Sequence, residues 1–252
     1  MRKDDKEMKI DEFLELVKKR RSIRRFKPGP IPDEYIEKII EAARWAMSGA
    51  NAQPWEFIVV KDQETKNKVA EFYTEMRKEQ YVIEKTRVED LRHPQLSTPP
   101  FDAPGLKEAS IVIIVCGDRR TLQASALAGS FIPPTVGPEY TYVNNMACAV
   151  HNLHLAAAAL GLGSQWISPN RVWESSLKSL LDIPGILEIH AVVPVGYPAY
   201  DPLPPYRRDL KEIVHYEKYD RTKFRSGEDI IKFLNELRKQ TRPAYRQGIK
   251  DN

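Results

Sequence analysis

The chain has 252 residues, of which 42% are hydrophobic, so it can bury the core of one large domain or of two small ones. Its 39 basic and 35 acidic residues leave a net charge of only +4. Nucleic-acid-binding domains usually carry a basic surplus across the whole domain, and this small surplus argues against that class.

Cysteine content and hydropathy indicate the compartment. Cys116 and Cys148 lie in apolar surroundings and lack the C-x-x-C spacing of redox or zinc sites, so we expect two buried free thiols and a reducing environment. The first residues, MRKDDKEMKIDEF, are charged throughout and lack the apolar segment of a signal peptide. No later stretch is apolar enough to span a bilayer. The sequence therefore predicts a cytoplasmic protein without a membrane partner.

The first half of the chain alternates amphipathic helices with short apolar runs. Ile10, Phe13, Leu14 and Val17 follow the i, i+3, i+4, i+7 spacing of a helix, which ends in the basic residues from Arg20 onward. Further along, acidic residues open a second helix, and continuous β-branched runs indicate buried strands. We predict helices from 10, from 33 and over 64–81, a loop at 48–54, and strands at 57–60 and 110–116.

The second half contains the strongest candidate for a central helix. Residues Val143–Leu160 are alanine-rich and apolar almost all round, which is typical of a helix buried on most sides. The stretch before it, 117–140, reads as irregular. We predict strands at 163–168 and 190–196, helices at 171–181 and 227–239, and a proline-rich arm from about 200. Strands separated by helices indicate one mixed α/β core.

Seven basic residues occupy the ten positions from Lys18 to Lys27. Such a run can contact nucleic acid, act as a targeting signal, hold a single phosphate or simply be solvated. Because the positive charge is local, it favours a small anionic ligand. Guanidinium forks bind phosphate bidentately, and Ser22 adds a hydroxyl donor. Arg25 and Lys27 alternate away from this face, and we expect them to be solvated.

Several other chemistries lack the residues that they need. His151 and His154 are three positions apart, but no H-E-x-x-H motif, carboxylate partner or cysteine pair accompanies them, so no metal site is expected. No G-x-S-x-G motif is present, and neither cysteine has a basic neighbour that would activate it. The glycines of LGLGS lack the G-x-G-x-x-G spacing of a dinucleotide-binding turn.

Five motifs in order resemble the FMN-dependent nitroreductase superfamily, which includes iodotyrosine deiodinase. The sequence Arg-Arg-Ser-Ile-Arg at 20–24 is similar to the superfamily's opening signature, and SGANAQPW at 48–55 is similar to its small-residue loop. The Gly-Leu-Gly turn at 161–163, the Val-Gly-Tyr-Pro motif at 195–198 and the segment RRDLKEIVH with Arg207 follow in the same order. The resemblance extends from residue 10 to about 216.

The resemblance implies a fold, a cofactor and an assembly. The expected fold class is α+β, with a central, mostly antiparallel sheet flanked by helices and with extended termini that wrap a dimer partner. Residues 1–252 would form a single FMN-binding domain, with a C-terminal arm over about 200–252. The expected partners are a second copy of the chain, NAD(P)H and a small substrate.

The resemblance also assigns residues to the FMN site. Arg20, Ser22 and Arg207 would hold the phosphate, and Arg24 would lie beside the N1–C2=O edge, where a fixed cation stabilises the reduced flavin. The 48–55 loop would contact the flavin of the neighbouring subunit, and the 166–168 turn would offer a donor to N5. The remaining expected cofactor-binding residues are Arg21, Ser48, Gly49, Asn51, Gln53, Trp166, Ile167 and Ser168.

Residues 73–104 and 117–140 form segments longer than a minimal member of the superfamily needs, and such insertions form its substrate lid. In 73–104, aromatic side chains could stack on a flat substrate, and cations could pair with a carboxylate or phenolate on it. The candidates for substrate binding are Tyr73, Arg77, Tyr81 and Lys85. A solvated helix is the alternative interpretation of this segment.

The expected function is NAD(P)H-driven reduction of an electron-poor aromatic or quinone-type substrate, with the flavin supplying the chemistry and no side chain acting as a general acid. Within the superfamily, a reductive dehalogenase or an ene-reductase is the alternative. From a different class, the alternative is a nucleic-acid-binding protein that uses the basic run 18–27.

Overall fold

The computed structural model describes residues 9–89, 92, 105–124 and 138–247. The chain divides into two compact units, residues 1–199 and 200–252, and each is described by itself. The sequence-based expectation of a single domain stays a prediction. Within the described residues, no helix combines the length and apolar character needed to cross a membrane.

A four-stranded antiparallel sheet forms the centre of the first unit, as the sequence predicted. Its strands are β1 (Trp55–Val60), β2 (Ile111–Asp118), β3 (Gly163–Ser164) and β4 (Leu187–Gly196), in the order β1-β2-β4-β3. β2 is central, and it pairs with both β1 and β4. The short β3 lies at the edge beside β4.

Helices cover both faces of this sheet. On one face lie α2 (Asp33–Arg44) and α4 (Pro138–Ala159), and on the other lie α3 (Gln63–Lys85) and α5 (Arg171–Leu181). Helices on both faces and the strand period of two explain why β2 is apolar from Ile111 to Cys116: Ile111, Ile113 and Val115 pack towards α2 and α4, while alternate residues pack towards α3 and α5. α1 (Ile10–Lys19) precedes them and has no buried residue.

Local signals fix where the helices begin and end. The Asp62 side chain accepts a hydrogen bond from the Thr65 N–H at 2.7 Å at the start of α3, and Asn170 does the same for Trp173 at 2.9 Å at the start of α5. α5 ends at Asp182, which adopts the left-handed conformation. These caps fix the starts of α3 and α5, the two helices that pack on the same face of the sheet.

The second unit begins with extended chain and continues with α6 (Leu210–Ile213), a short 3-10 helix and α7 (Gly227–Gln247). Within it, the Tyr206 and Phe233 rings lie 6.1 Å apart, and the Arg225 guanidinium lies 5.0 Å from the centre of the Phe233 ring. The prediction of a proline-rich arm and a helix from 227 falls in this unit, although α7 extends beyond the expected end at 239.

Two element predictions were wrong. The stretch 117–140 is not irregular where it is described: β2 continues to Asp118, a 3-10 helix covers Arg119–Gln123, and α4 starts at Pro138. Proline suits the first helical position, because the N–H that it lacks would have no partner there. Residues 125–137 lie outside the described part.

The strand expected over 163–168 is regular only at Gly163–Ser164. The next pairing position on β4 is Pro194, whose carbonyl accepts from the Gln165 N–H at 3.3 Å. Proline has no N–H to donate in return, so the ladder is interrupted there. Ile167 re-joins β4 through a single bridge to Val192.

The prediction of two buried thiols is half right. Cys116 is fully buried in β2, and burial raises the pKa of its thiol to about 12, so it is not a thiolate nucleophile. Cys148 on α4 is only half-buried. Both are free cysteines.

Candidate functional site

The basic segment Ser22–Lys27 docks as extended chain on the outer edge of the sheet. The Ile23 N–H donates to the Ser164 carbonyl at 3.0 Å, and the Lys27 N–H donates to the Tyr197 carbonyl at 2.8 Å. Ser22 forms a parallel bridge with Ser164. The expected phosphate ligands Arg20 and Ser22 therefore lie beside β3, where the end of α1 passes directly into the docked segment.

Two buried apolar side chains set the register of this segment. Ile23 and Phe26 are buried, and glycines on the sheet make room for them. A Cβ on Gly163 would lie 2.6 Å from Ile23 Cγ1, and one on Gly196 would lie 3.2 Å from Phe26 Cδ1. Because the two apolar residues point inward, Ser22 between the arginines stays exposed.

The arginines of the segment occupy different environments. Arg20 caps the end of α1, with its N–H bonded to the Leu16 carbonyl at 3.0 Å, and Arg21 donates to the Arg20 carbonyl at 2.8 Å. Arg24 is half-buried. Arg25 was expected to be solvated, but it is half-buried too, because its backbone carbonyl accepts from the Ala199 N–H at 3.1 Å. Lys27 is exposed, as expected.

Behind the docked segment lies a buried cluster of polar and aromatic side chains. His154 Nδ1 lies 2.7 Å from Ser164 Oγ, and both side chains are buried. The Trp166 ring stacks near His154, with centroids 6.2 Å apart, and meets His190 edge-on at 5.6 Å. This cluster connects α4, β3 and β4 immediately beneath the basic segment.

Burial disfavours the charged form of both histidines of the cluster. Burial lowers the pKa of His154 to about 3, and the nearby positive charge of Arg20 acts in the same direction. Burial also lowers the pKa of His190. Within the described residues no group of three or more potential metal ligands is present, and His154 Nδ1 is bonded to a serine hydroxyl instead.

The turn that follows β3 contains three expected cofactor-binding residues. Trp166 Nε1 donates to Ser168 Oγ at 3.2 Å. Ile167 is buried in the core beside α3 and α5, so its side chain serves packing, and its backbone exchanges hydrogen bonds with Val192 at 3.1 and 2.8 Å. Ser168 is exposed at the end of the turn.

The loop at 48–53 is held in an unusual backbone conformation. Ala50, Asn51 and Gln53 all have positive φ angles, of 53°, 52° and 43°. Left-handed conformations cost energy for residues other than glycine and persist only where the surroundings impose them. Here the Gly49 N–H donates to Asn145 Oδ1 at 3.0 Å, and the Gln53 N–H donates to Ser48 Oγ at 3.1 Å.

Gly49 is required where this loop meets α4. A Cβ at this position would lie 2.7 Å from Thr141 Cγ2. The loop therefore contacts the first turns of α4, whereas the histidine cluster contacts its last turns. Asn145 and His154 are nine positions apart on α4, which is roughly 14 Å of helix. The loop and the histidine cluster thus contact the same helix at positions nine residues apart.

Arg207 belongs to the second unit, where it is exposed and donates to the Tyr206 carbonyl at 2.8 Å. The neighbouring Arg208 pairs with Glu212 at 3.1 Å. The joint placement of Arg207 with Arg20 and Ser22 stays a prediction.

The expected substrate-binding residues all lie on α3, on the opposite face of the sheet from α4. The Tyr73 ring packs edge-on against the buried Trp173 at 5.2 Å, so the core accounts for its position. Arg77 donates to Gln80 at 3.2 Å, and Lys85 Nζ lies 5.4 Å from the centre of the Tyr81 ring. Residues 90, 91 and 93–104 of the expected lid lie outside the described residues. Substrate binding by α3 stays a prediction.

Sequence reasoning missed the polar residues that support the site from behind. Ser164 and Gln165 are buried polar residues next to the Gly-Leu-Gly turn. The motif-based prediction included only the residues that follow them, 166–168. His154 was considered in the sequence as a possible metal ligand, and no metal site was expected there. Its position ten residues before Ser164, on a helix that returns directly into β3, is a signal that could have paired the two.

Comparison with known proteins identifies the family. The model of the nitroreductase family matches residues 17–197, which is well over half of the chain. The chain therefore belongs to the nitroreductase family. This result confirms the resemblance drawn from the five motifs, and the antiparallel sheet with helices on both faces agrees with it.

Individual relatives carry different names. A protein of Archaeoglobus fulgidus named NADH dehydrogenase/NAD(P)H nitroreductase is 32% identical over 191 residues, covering 75% of this chain and 87% of the relative. An iodotyrosine deiodinase of Thermotoga neapolitana is 29% identical over 207 residues, covering 82% and 98%. A solved iodotyrosine deiodinase bound to FMN and 3-iodo-L-tyrosine is 28% identical, with a TM-score of 0.61, and covers 82% of this chain and 99% of that one.

These comparisons support two of the sequence-based predictions at the level of the family. The nitroreductase family is FMN-dependent, which confirms the expected class of cofactor. Names for NADH and NAD(P)H enzymes among the relatives support an oxidoreductase. They do not test the individual site residues, which stay predictions.

The burial of neutral His154 predicts how the free energy of unfolding depends on pH. The folded pKa is about 3 and the ordinary value is 6.5. Between these values the unfolded chain binds a proton that the folded chain does not, so the free energy of unfolding falls as the pH drops, by up to about 1.4 kcal/mol per pH unit. Urea unfolding between pH 6.5 and 4.5 should show a shallower fall for His154→Asn than for the unmodified protein. An equal dependence of the unfolding free energy on pH in the two proteins would contradict this prediction. The control is His151→Asn, because His151 is exposed on the same helix.

Proposed function

We propose that this protein is an FMN-dependent oxidoreductase that uses NAD(P)H to reduce an electron-poor aromatic or quinone-type acceptor in the cytoplasm. One observation carries the proposal: the basic segment, which follows Arg20 and Arg21 and contains Ser22, Arg24 and Arg25, is hydrogen-bonded to the sheet edge above the buried His154–Ser164 pair. Such a segment suits a small phosphorylated ligand, since its charge is concentrated and its backbone is fixed.

The residues at this edge fit the phosphate end of FMN. Arg20 and Ser22 provide a guanidinium and an exposed hydroxyl on adjoining stretches of backbone. The buried Gln165 Oε1, next to Ser164, has no hydrogen-bond partner among the described residues. Buried polar atoms without partners are rare, and a bound polar ligand or water would satisfy this one.

In the proposed site, Arg20, Ser22 and Arg207 hold the phosphate, and Arg24 places a fixed positive charge near the N1–C2=O edge of the ring system. The turn at 166–168 orients a donor towards N5. FMN, when bound, supplies the redox chemistry, by accepting a hydride from the nicotinamide and passing electrons to the acceptor. No side chain is assigned a proton-transfer role.

We further propose a homodimer, in which the 48–55 loop reaches the flavin of the partner. Two apolar surfaces support it. α1 exposes Ile10, Phe13, Leu14 and Val17 on one side, and α4 exposes Tyr140 and Val143. Apolar stripes of this kind usually mark protein–protein contacts. A stable monomer with bound FMN, seen by light scattering at micromolar concentration, would contradict the dimer.

Reductive dehalogenation is the second candidate function. It is favoured by the deiodinase relatives and by the deiodinase structure bound to 3-iodo-L-tyrosine. Both candidates share the cofactor and differ in the acceptor. An ene-reductase would differ from both by turning over an activated alkene.

The proposed function is tested by purification followed by anaerobic reduction. We expect a yellow protein with about one FMN per chain, whose flavin absorbance is bleached by NADH or NADPH and restored by an acceptor. A panel with a nitroaromatic, a small quinone, 3-iodo-L-tyrosine and an activated alkene would separate the candidates. A colourless protein that binds no added FMN would overturn the proposal, and the basic run would then need a different ligand, of which nucleic acid is the first to test.

Substitution of Arg207 tests its assigned role. Loss of a charge-assisted contact with phosphate should weaken FMN binding in Arg207→Ala by about ten- to a hundredfold. The matched control is Arg208→Ala, because Arg208 already pairs with Glu212 at 3.1 Å. Its FMN affinity should change by less than about twofold. Titration of the apoprotein by flavin fluorescence measures both, and an unchanged affinity in Arg207→Ala would remove that residue from the site.

We propose that the C-terminal half of α3 contributes to a substrate lid, and point substitutions test this without disturbing the core. Tyr81→Ala and Lys85→Ala should lower kcat/KM for an anionic or phenolic aromatic acceptor by about tenfold, because stacking and charge pairing are lost. Turnover of a small quinone should stay within about twofold. Lys68→Ala is the control, as an exposed lysine on the same helix paired with Glu64 at 2.9 Å. Equal loss for both acceptors would indicate a structural role only.

A further inference from the structure

We propose that His154 is a positioning residue for the phosphate-binding segment: through Ser164 it fixes the strand edge to which Ser22 and Ile23 are attached. The inference rests on the proposed FMN function and deepens it. No contact of His154 with the cofactor is implied, because it would act through the backbone that presents Arg20 and Ser22.

The contacts form a continuous chain from α4 to the surface. His154 Nδ1 lies 2.7 Å from Ser164 Oγ. The carbonyl of the same serine accepts the Ile23 N–H at 3.0 Å, and Ser22 bridges to Ser164 in parallel. Ser164 thus contacts His154 through its side chain and the basic segment through its backbone.

β3 needs this support because it is only two residues long. Pro194 interrupts its ladder with β4 after Ser164, so few backbone hydrogen bonds hold this edge in place. A side-chain hydrogen bond from a helix within the core supplies a fixed point that the short ladder cannot. The neighbouring Gly163 cannot shift freely either, since Ile23 fills the space beside it.

The identity of the side chain argues against simple filling of the core. His154 lies among apolar residues of α4, and its Nε2 has no hydrogen-bond partner among the described residues, so the ring is costly to bury where a leucine would pack without that penalty. The imidazole instead bonds to Ser164 and stacks near Trp166, the first residue of the turn expected at the flavin. The ring thus restrains two nearby points of the segment 164–166.

A comparison of FMN with riboflavin isolates the phosphate-binding segment, because the two ligands share the ring system and the ribityl chain and differ only in the phosphate. If His154 positions the segment that holds the phosphate, its loss should weaken FMN binding and spare riboflavin. A residue that supports the fold in general would weaken both ligands equally. The Kd ratio of the two flavins is therefore a measure that a purely structural role would not change.

The experiment uses the full-length apoprotein and the variants His154→Leu, His154→Asn, Ser164→Ala and the double variant His154→Leu/Ser164→Ala. We expect about a three- to tenfold loss of FMN affinity in His154→Leu, and a change within about twofold for riboflavin. His154→Asn should recover most of the loss, because its amide can replace Nδ1. The double variant should be no weaker than the more affected single variant, since the two residues act through one hydrogen bond. Exposed His151→Leu, one turn away on α4, is the control.

Equal losses for FMN and riboflavin, no loss in either single variant, or the same effect from His151→Leu would overturn the inference. If His154→Leu does not fold, His154→Asn and Ser164→Ala decide the matter on the same ratio. Failure of the underlying function gives a different result, because the unmodified protein would then bind FMN no better than riboflavin or not at all.

Discussion

The hydrogen bond from the Ile23 N–H to the Ser164 carbonyl connects the basic segment to the sheet, and the positions of the neighbouring Ser22 and Arg24 depend on it. An extended chain at a sheet edge can slip by one residue, and such a slip would exchange the buried and the exposed side chains. Ile23 prevents it by occupying the space beside Gly163, and Phe26 does the same beside Gly196. Apolar packing at two points therefore determines where the polar side chains emerge.

The polar cluster beneath this edge shows how the fold tolerates a concentration of positive charge. An imidazolium at His154 would add to the repulsion among the arginines, but burial keeps the ring neutral, with a pKa of about 3. The neutral ring still satisfies a buried serine hydroxyl at 2.7 Å. The core thus contributes a hydrogen bond without contributing a charge, which leaves the positive charge of the segment available for an anionic ligand.

The sequence allowed the central sheet and most of the helices to be predicted, because their signals are local. β2 is apolar from Ile111 to Cys116, and the buried face of α2 follows the helical period. The early start of α4 and the shortness of β3 were missed. The first depends on a proline whose helical role is visible only in context, and the second depends on Pro194, a residue of another strand.

The candidate site was predictable to a smaller extent, for a related reason. Motifs identified the residues that face outward, such as Ser22 and Asn51, but gave no information about the side chains that support them. For Tyr73, an aromatic residue in a charged segment suggested a substrate contact, and the structure adds that its ring packs on Trp173 at 5.2 Å. Spacing along the chain does not reveal which face of a helix meets the core when charged and apolar residues are mixed along α3.

The geometry of α4 sets the distance between the two predicted parts of the proposed site. Its first turns hold the 48–53 loop through Asn145, and its last turns hold β3 and the basic segment through His154. Roughly 14 Å of rigid helix separates these two anchors, and a helix cannot shorten to bring them together. The proposed dimer assigns the loop of one chain and the basic segment of its partner to the same flavin. In the proposed dimer, the separation of these two contact points along α4 therefore determines how far apart the two parts of the site lie in each chain.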